Sequence, residues 1–387
     1  MKPGYLFISN ETKGTIENEM SLAPYHTGSF DAASIYAANH LGFKIYRGIN
    51  RIKADKIVGV DYEMHFYNQH IYRSVFDFYN NLIAYRNLKK FLHTHTDIKL
   101  LHCNTPIGGV IGRICGHKAG LKVIYMAHGF HFFKGAPIFN RTVFKWIEQI
   151  LARLSDAIIT INKEDFIAAQ KFHLKPHGRV YYVPGVGVNT KLYDNVNVDK
   201  DAKLHKLGLP VNTKVGLVVG DLNNNKNVET LIKSLPATSG NFHIVICGVG
   251  PNEKSLKKLA DNLNVSNRVH FLGYRNDMKE LYAISDMFLF ASKREGLPRS
   301  TMEAMCVGLP CVVSRIRGNI DLIQNELGGY LVNPMDYVGF AKAINYLIEN
   351  PIIAKQMGEY NKLQIKKFDI EIVKQRIVEI YEDVLSR

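Results

Sequence analysis

Short apolar runs bounded by turn residues alternate with helical patterns along the whole chain, and this alternation limits the fold more than any other feature. The runs occupy residues 5–8, 99–103, 121–125, 157–161, 180–183, 215–219, 243–247, 269–272, 287–291 and 311–314. Brief, nearly continuous apolar strands separated by helices imply an α/β protein with parallel sheets covered by helices. At 387 residues the chain exceeds the size at which one core keeps growing, so two domains are expected. The segment 184–189, Pro-Gly-Val-Gly-Val-Asn, closes one series, and a polar stretch through 194–199 precedes the next. The boundary is therefore expected between Tyr193 and Lys214, giving domains 1–195 and 196–368. In the remaining segment, 369–387, Ile372, Val373, Ile377, Ile380, Tyr381 and Val384 have the spacing of one amphipathic helix, expected to pack back toward the first domain.

The most informative local sequence runs from Arg294 to Ser314. Glu295 and Glu303 stand eight positions apart around Gly296, Leu297 and Pro298, between the apolar runs 287–291 and 311–314. Proline suits the first turn of a helix, and Gly308 with Pro310 stops it. The segment thus reads as strand, loop, helix, strand, with its loop at the carboxyl end of a parallel sheet, where open α/β folds bind ligands. The helix start offers unpaired N–H groups and partial positive charge to a phosphate. Helical side chains lean toward the N-terminus, so Glu303 can reach back toward the pocket that Glu295 enters. The plainer alternative is a charge-capped helix with a solvated Glu303.

Three further strand ends carry matching chemistry. The run 215–219 leads through Gly220, a polar loop and Lys226 into a helix, an arrangement that can close on a diphosphate from the opposite side. After 243–247 come Gly248 and Gly250, ahead of Pro251, which permit close approach to the backbone. After 269–272 come Gly273 and Arg275; the plain alternative is a βα loop with a surface arginine.

Four strand ends of this kind, in this order, resemble the nucleotide-binding half of the retaining glycosyltransferases of family 4. The likeness extends over nearly the whole chain. It implies the GT-B architecture, two Rossmann-like parallel-sheet domains facing a central cleft. By this resemblance Glu303 holds the donor ribose, while Glu295 and the amides of Gly296 and Leu297 hold the donor sugar and its phosphate. Lys226 meets the diphosphate, and Arg275 with Gly248 and Gly250 borders the base. Many members carry an arginine at the position of Asp221; Arg294 or Arg299 is the candidate replacement for that charge here.

In the first half, His128-Gly129 follows the run 121–125, so an imidazole stands at a strand's carboxyl end, where it can donate to a sugar hydroxyl. A structural histidine is the alternative. His128 and His131 have no acidic or cysteine third ligand nearby in the sequence, which argues against a metal. The segments around 101–109, 123–137 and 161–165 look like the capsule and exopolysaccharide branch of the same family. There a histidine matching His128 faces the donor sugar, and Asn104, Thr105, Lys134, Glu164 and Asp165 become acceptor-side candidates. The loop 10–18 departs from the family's glycine-rich form.

Charge and cysteine content narrow the partners. The net charge is +14, with an excess of 10 in residues 1–190 and 4 in the remainder, and ten basic residues against one acid from Arg86 to Lys145. That half should attract an anion: nucleic acid, an acidic membrane surface or a phosphate-bearing substrate. A polyprenyl-diphosphate-linked saccharide acceptor at an anionic membrane surface accounts for it. The aromatics Phe66, Tyr67, Tyr72, Phe76, Phe78 and Tyr79, and a stripe of Phe139, Val143, Phe144, Ile147 and Leu151 at helical spacing, would rest there. A core-facing helix with a basic outer face fits that stripe equally well. No apolar run approaches the ~20 residues of a membrane span, and the N-terminus shows no signal core. The expected location is cytoplasmic, peripheral at the inner face of the membrane. Five cysteines without a C-x-x-C pair read as core residues.

The reading is a retaining glycosyltransferase, hexosyl or N-acetylhexosaminyl, moving sugar from a UDP-sugar to a lipid-linked saccharide. No cofactor and no metal is expected. The rivals are a nucleotide-sugar epimerase or phosphorylase on the same architecture, and a basic nucleic-acid or membrane-binding module.

Overall fold

The computed structural model describes residues 2–9, 32–50, 63–72, 74, 76–104, 106–194 and 196–387. The loop 10–18 and Thr105 lie outside them. The chain divides into two compact units, Met1–Gly187 with Ile370–Arg387, and Val188–Asp369. The division falls at Val188, ahead of the polar segment in which the sequence suggests it. Val188 leaves the first unit early because it forms a β-bridge with Asp369, while Asp369 also accepts hydrogen bonds from the backbone and hydroxyl of Thr190, at 3.2 and 2.5 Å.

The first unit runs β1 (Gly4–Ile8), α1 (Ala32–His40), β2 (Lys44–Ile49), β3 (Met64–Asn68), α2 (Phe78–Thr94), β4 (Ile98–Asn104), α3 (Pro106–Lys118), β5 (Lys122–Ala127), α4 (Lys145–Ala152), β6 (Ala157–Thr160), α5 (Lys163–Ala169) and β7 (Arg179–Tyr182). Its seven strands are ordered β3-β2-β1-β4-β5-β6-β7, and all neighbours pair in parallel. β2 and β3 have no counterpart among the apolar runs of the sequence. β3 is an edge strand of mixed polarity, where a polar residue costs little. α2, α3 and the end of α4 share one core on one face of the sheet. α3 packs closely because it presents glycines: a Cβ at Gly109, Gly112 or Gly116 would come within 2.5–2.7 Å of Tyr125, Cys103 or Val123.

The second unit runs α6 (Lys200–Lys206), β8 (Lys214–Val219), α7 (Val228–Ser234), β9 (Phe242–Cys247), α8 (Glu253–Asn262), β10 (Val269–Gly273), α9 (Met278–Ile284), β11 (Met287–Phe290), α10 (Arg299–Val307), β12 (Cys311–Ser314), α11 (Asn319–Leu322), β13 (Gly329–Val332), α12 (Tyr337–Glu349) and α13 (Pro351–Gln364). The sheet order is β10-β9-β8-β11-β12-β13, again all parallel. The chain reverses its direction of travel across the sheet between β8 and β11. At such a switch point two adjacent loops diverge above the strand ends and leave a crevice.

The final helix, α14 (Ile370–Leu385), returns to the first unit. Val373, Ile377, Ile380, Tyr381 and Val384 are buried against α1 and the second face of that sheet. Tyr381 also enters a buried polar chain: its hydroxyl lies 2.9 Å from that of Tyr5 and 2.6 Å from His102 Nδ1, whose Nε2 is 2.9 Å from Asn104 Oδ1. All five cysteines are free and buried, and burial raises their thiols, to about 12 for Cys103 and Cys247.

Candidate active site

The loops after β8 and β11 are tied together across the switch point of the second unit. Lys226 Nζ lies 2.8 Å from Glu295 Oε1 and 4.8 Å from the centre of the Phe290 ring. The amide of Lys293 donates to Asn225 O at 2.8 Å, and Asn225 Nδ2 donates to Arg294 O at 2.9 Å. Asn227, left-handed at φ 54°, donates through Nδ2 to Ala291 O at 3.0 Å and Pro334 O at 2.8 Å. Lys226 thus stands in the turn ahead of α7 and not inside the helix.

α10 begins at Arg299 with Pro298 as its N-cap and ends at Gly308, φ 87°. Leu297 is buried, Glu295 and Gly296 are half-buried, and Arg294 is exposed. Arg317, 5% exposed, donates its Nε to Glu295 O at 3.1 Å. Next to it Gly318 has φ 81°, and a Cβ there would lie 2.4 Å from Gly296 O. A guanidinium on one side and a bare backbone on the other therefore hold the Glu295–Leu297 turn. Sequence reasoning missed Arg317, since an arginine in a loop reads as a solvated charge.

Glu295 and Glu303 have different partners. Glu303 Oε2 accepts from the Tyr282 hydroxyl at 3.0 Å, and Oε1 accepts from Arg299 Nε at 3.0 Å. Burial raises Tyr282 well above the ordinary phenol range, and the Glu303 charge adds to the effect; Tyr193, which also faces Glu303, is shifted the same way. Both phenols remain protonated and able to donate. Neither is visible as a site residue in the sequence, where both read as core aromatics. Of the two arginines proposed to replace the charge missing at Asp221, Arg299 is engaged with Glu303. Among the described residues the Arg294 guanidinium has no ion pair.

The glycines after β9 serve the backbone first. A Cβ at Gly248 would lie 2.0 Å from Gly220 O, and one at Gly250 would lie 2.4 Å from Leu222 O. The two loops consequently run against each other, with Gly220 N donating to Cys247 O and Leu222 N to Val249 O, each at 3.0 Å. Arg275 forms a bidentate pair with Asp277 at 2.8 and 2.6 Å. Asp277 also receives Lys203 Nζ at 2.6 Å, and these cations, Arg275 foremost, hold its carboxyl below the usual range. Two of the three guanidinium nitrogens of Arg275 are thus engaged, leaving Nη1 and the planar face for another partner.

In the first unit, His128 is half-buried at the end of β5, followed by Gly129 at φ 136°. The loop it opens is fastened by the first turn of α5. Asp165, 1% exposed, accepts from Phe130 N at 3.0 Å and Asn162 Nδ2 at 2.8 Å. Glu164 accepts from Lys134 N at 2.7 Å. Asp165 thus positions the His128 loop, whereas the Lys134 side chain is exposed. Asn104 is fully buried at one end of the chain of hydrogen bonds that runs through His102 and Tyr381 to Tyr5. Among the described residues no three His, Cys, Asp or Glu side chains come together as a metal site.

Two family models match the chain in succession: residues 55–190 match Glycosyltransferase Family 4, and residues 199–364 match Glycosyl transferases group 1. The Bacillus subtilis protein EpsD, named as a glycosyltransferase, is 33% identical over 318 residues, covering 80% of this chain and 83% of EpsD. The UDP-Gal:alpha-D-GlcNAc-diphosphoundecaprenol alpha-1,3-galactosyltransferase of Escherichia coli is 27% identical over 318 residues, covering 79% and 82%. HepE of Anabaena, solved in complex with UDP, aligns with a TM-score of 0.77 over 99% of this chain and 100% of its own, at 21% identity. With these matches and two parallel Rossmann-like sheets, the chain belongs to glycosyltransferase family 4, the enzymes that transfer sugars on a GT-B fold.

Proposed function

We propose that this glycosyltransferase moves a sugar, hexosyl or N-acetylhexosaminyl, from a UDP-sugar to a saccharide carried on polyprenyl diphosphate. The transfer retains anomeric configuration and serves bacterial capsule or exopolysaccharide synthesis at the inner face of the cell membrane. The observation that carries the reading is the switch point of the second unit, where Lys226 and the start of α10 converge beside Glu295. An ammonium and a helix N-terminus together suit the charge that grows on a departing diphosphate. Support for UDP comes from HepE, which binds it, and support for the lipid carrier from the Escherichia coli relative, whose acceptor is a diphosphoundecaprenol-linked sugar.

In this reading Glu303, oriented by Tyr282 and Arg299, accepts from the ribose hydroxyls, and the amides of Gly296 and Leu297 with Glu295 hold the sugar. His128 is the first unit's donor to a sugar hydroxyl. The leaving phosphate takes the acceptor's proton, so neither a conventional base nor a resident metal is invoked. The test is a panel of nucleotide sugars offered with a membrane lipid extract, and mass spectrometry of the lipid fraction. A glycolipid formed from one UDP-sugar supports the reading. Donor turnover without a lipid product would favour an epimerase or phosphorylase instead.

A further inference from the structure

We infer that the first unit docks on anionic bilayers through one helical layer, centred on the outer side of α4 and its preceding turns and including the exposed start of α2. The inference rests on the lipid-linked acceptor proposed above and goes beyond it by naming the surface. Of the stripe suggested by sequence, only Phe139 belongs to that surface. Leu151 is buried and Val143, Phe144 and Ile147 are partly buried, while Tyr67 is buried and stacks on Phe91 at 4.3 Å. Residues Asn140–Phe144 are π-helical, and the extra residue per turn shifts the register of the residues before them. What faces outward is Phe139 at 62%, Trp146 at 63% and Ile150 at 42% exposure, with Phe78 at 74% and Tyr79 at 75% on α2.

The charges on these helices are sorted in the same sense. Arg141 and Lys145 are exposed among the apolar residues, and Arg86, Lys89 and Lys90 are exposed along α2. The one acid between 138 and 153, Glu148, turns inward onto Arg113, whose Nη1 lies 2.7 Å away and whose side chain is fully buried. Tyr125 adds a hydrogen bond to Glu148 at 3.2 Å, and the guanidinium lies 3.9 Å from the centre of the Tyr125 ring. The inward pair fixes the rotation of α4, so its outer side carries cations and apolar rings without a carboxylate. Aromatic rings interleaved with lysine and arginine match the headgroup layer of an anionic bilayer. No helix among the described residues is long and apolar enough to cross a membrane, so contact at this face would be with the surface layer.

Trp146 is the only tryptophan of the chain, and its fluorescence reads the contact directly. On vesicles of equal parts phosphatidylglycerol and phosphatidylethanolamine, Trp146 emission should shift to the blue and be quenched by brominated lipid. On phosphatidylcholine alone it should stay near its value in buffer. Phe139→Ser with Trp146→Ser should lower cosedimentation at least about tenfold, the loss expected from two buried rings. Arg141→Glu with Lys145→Glu should lower it at low salt and by less at high salt. Bound protein with unshifted Trp146, or variants that cosediment like the parent, would overturn the proposal. So would a concentration-dependent blue shift without lipid, which would make the face a contact between copies. Docking and the transfer reading can be separated: UDP release in detergent should survive Trp146→Ser. Vesicle binding without sugar transfer would leave the face standing and sink the transfer.

Discussion

Lys226 Nζ and Glu295 Oε1 lie 2.8 Å apart across the switch point of the second sheet, joining the loops after β8 and β11. In the proposed reaction a diphosphate entering there would compete with Glu295 for the ammonium, and the pair would serve as both a clasp and a charge reserve for the leaving group. Lys226→Met keeps most of the side-chain volume and removes the charge. Its kcat should fall roughly 10²–10³-fold, the usual loss for a group aimed at developing charge. Steady-state kinetics with the accepted donor checks this, and near-normal kcat would remove Lys226 from the chemistry.

Gly318 and Arg317 support the same clasp from behind. Gly318→Ala adds a methyl group whose carbon would lie only 2.4 Å from Gly296 O, on a backbone held in a left-handed conformation. The turn must move, at a cost of about 1–3 kcal/mol. The expected outcome is a lower melting temperature together with a transfer rate reduced at least about tenfold, since small misplacements of positioning groups are costly. Arg317→Lys keeps a cation but loses the fork that reaches Glu295 O, and should reduce transfer with a smaller change in melting temperature. Unchanged kinetics in both variants would show that the turn is held by other contacts.

The two sheets and their strand-end loops were legible because period and punctuation carry them: the runs 215–219, 243–247 and 311–314 fall within β8, β9 and β12. The residues that aim the site were not. Arg317 and Tyr282 owe their roles to neighbours far away in sequence, and local pattern cannot distinguish a buried guanidinium from a solvated one. β13 opens on Gly329 directly after Gly328, and a glycine pair reads as a turn and not as the start of a strand. Gly248 and Gly250 were visible as loop glycines, but their nearest constraint, the backbone of residues 220–222, appears only when the sheet is assembled. The outer face of α4 was concealed by the π-helical turns, which no spacing rule anticipates.

Tyr282 is buried and donates to Glu303 at 3.0 Å, with Ser300 O at 3.1 Å as the competing acceptor. Tyr282→Phe leaves the ring in place and removes a hydrogen bond to a charged group, a loss of about 1–3 kcal/mol. Arg299 still holds the other carboxylate oxygen, so Glu303 should loosen without leaving its place. If Glu303 holds the donor ribose, KM for the donor should rise several-fold while kcat changes less. A fall in kcat with an unchanged KM would take Glu303 out of ground-state binding.

His243 on β9 and His270 on β10 stack with ring centres 5.2 Å apart, and Nδ1 of the first lies 2.9 Å from Nε2 of the second. One ring must donate and the other accept, so the contact needs at least one neutral imidazole. Burial, the neighbouring ring and Arg268 lower the pKa of His243 from 6.5 to about 4, and burial lowers that of His270 too. Between these values the unfolded chain binds a proton at His243 that the folded protein excludes. The pair's contribution is therefore fully present above pH 6.5 and is lost as pH falls toward 4. For His243 it amounts to roughly 3 kcal/mol, or about 2–4 °C of melting temperature per kcal/mol for a domain of this size. Melting followed from pH 7.5 to 4.5 should show this slope, and His243→Phe should flatten it. An equal slope in the variant would place the acid sensitivity elsewhere in the second unit.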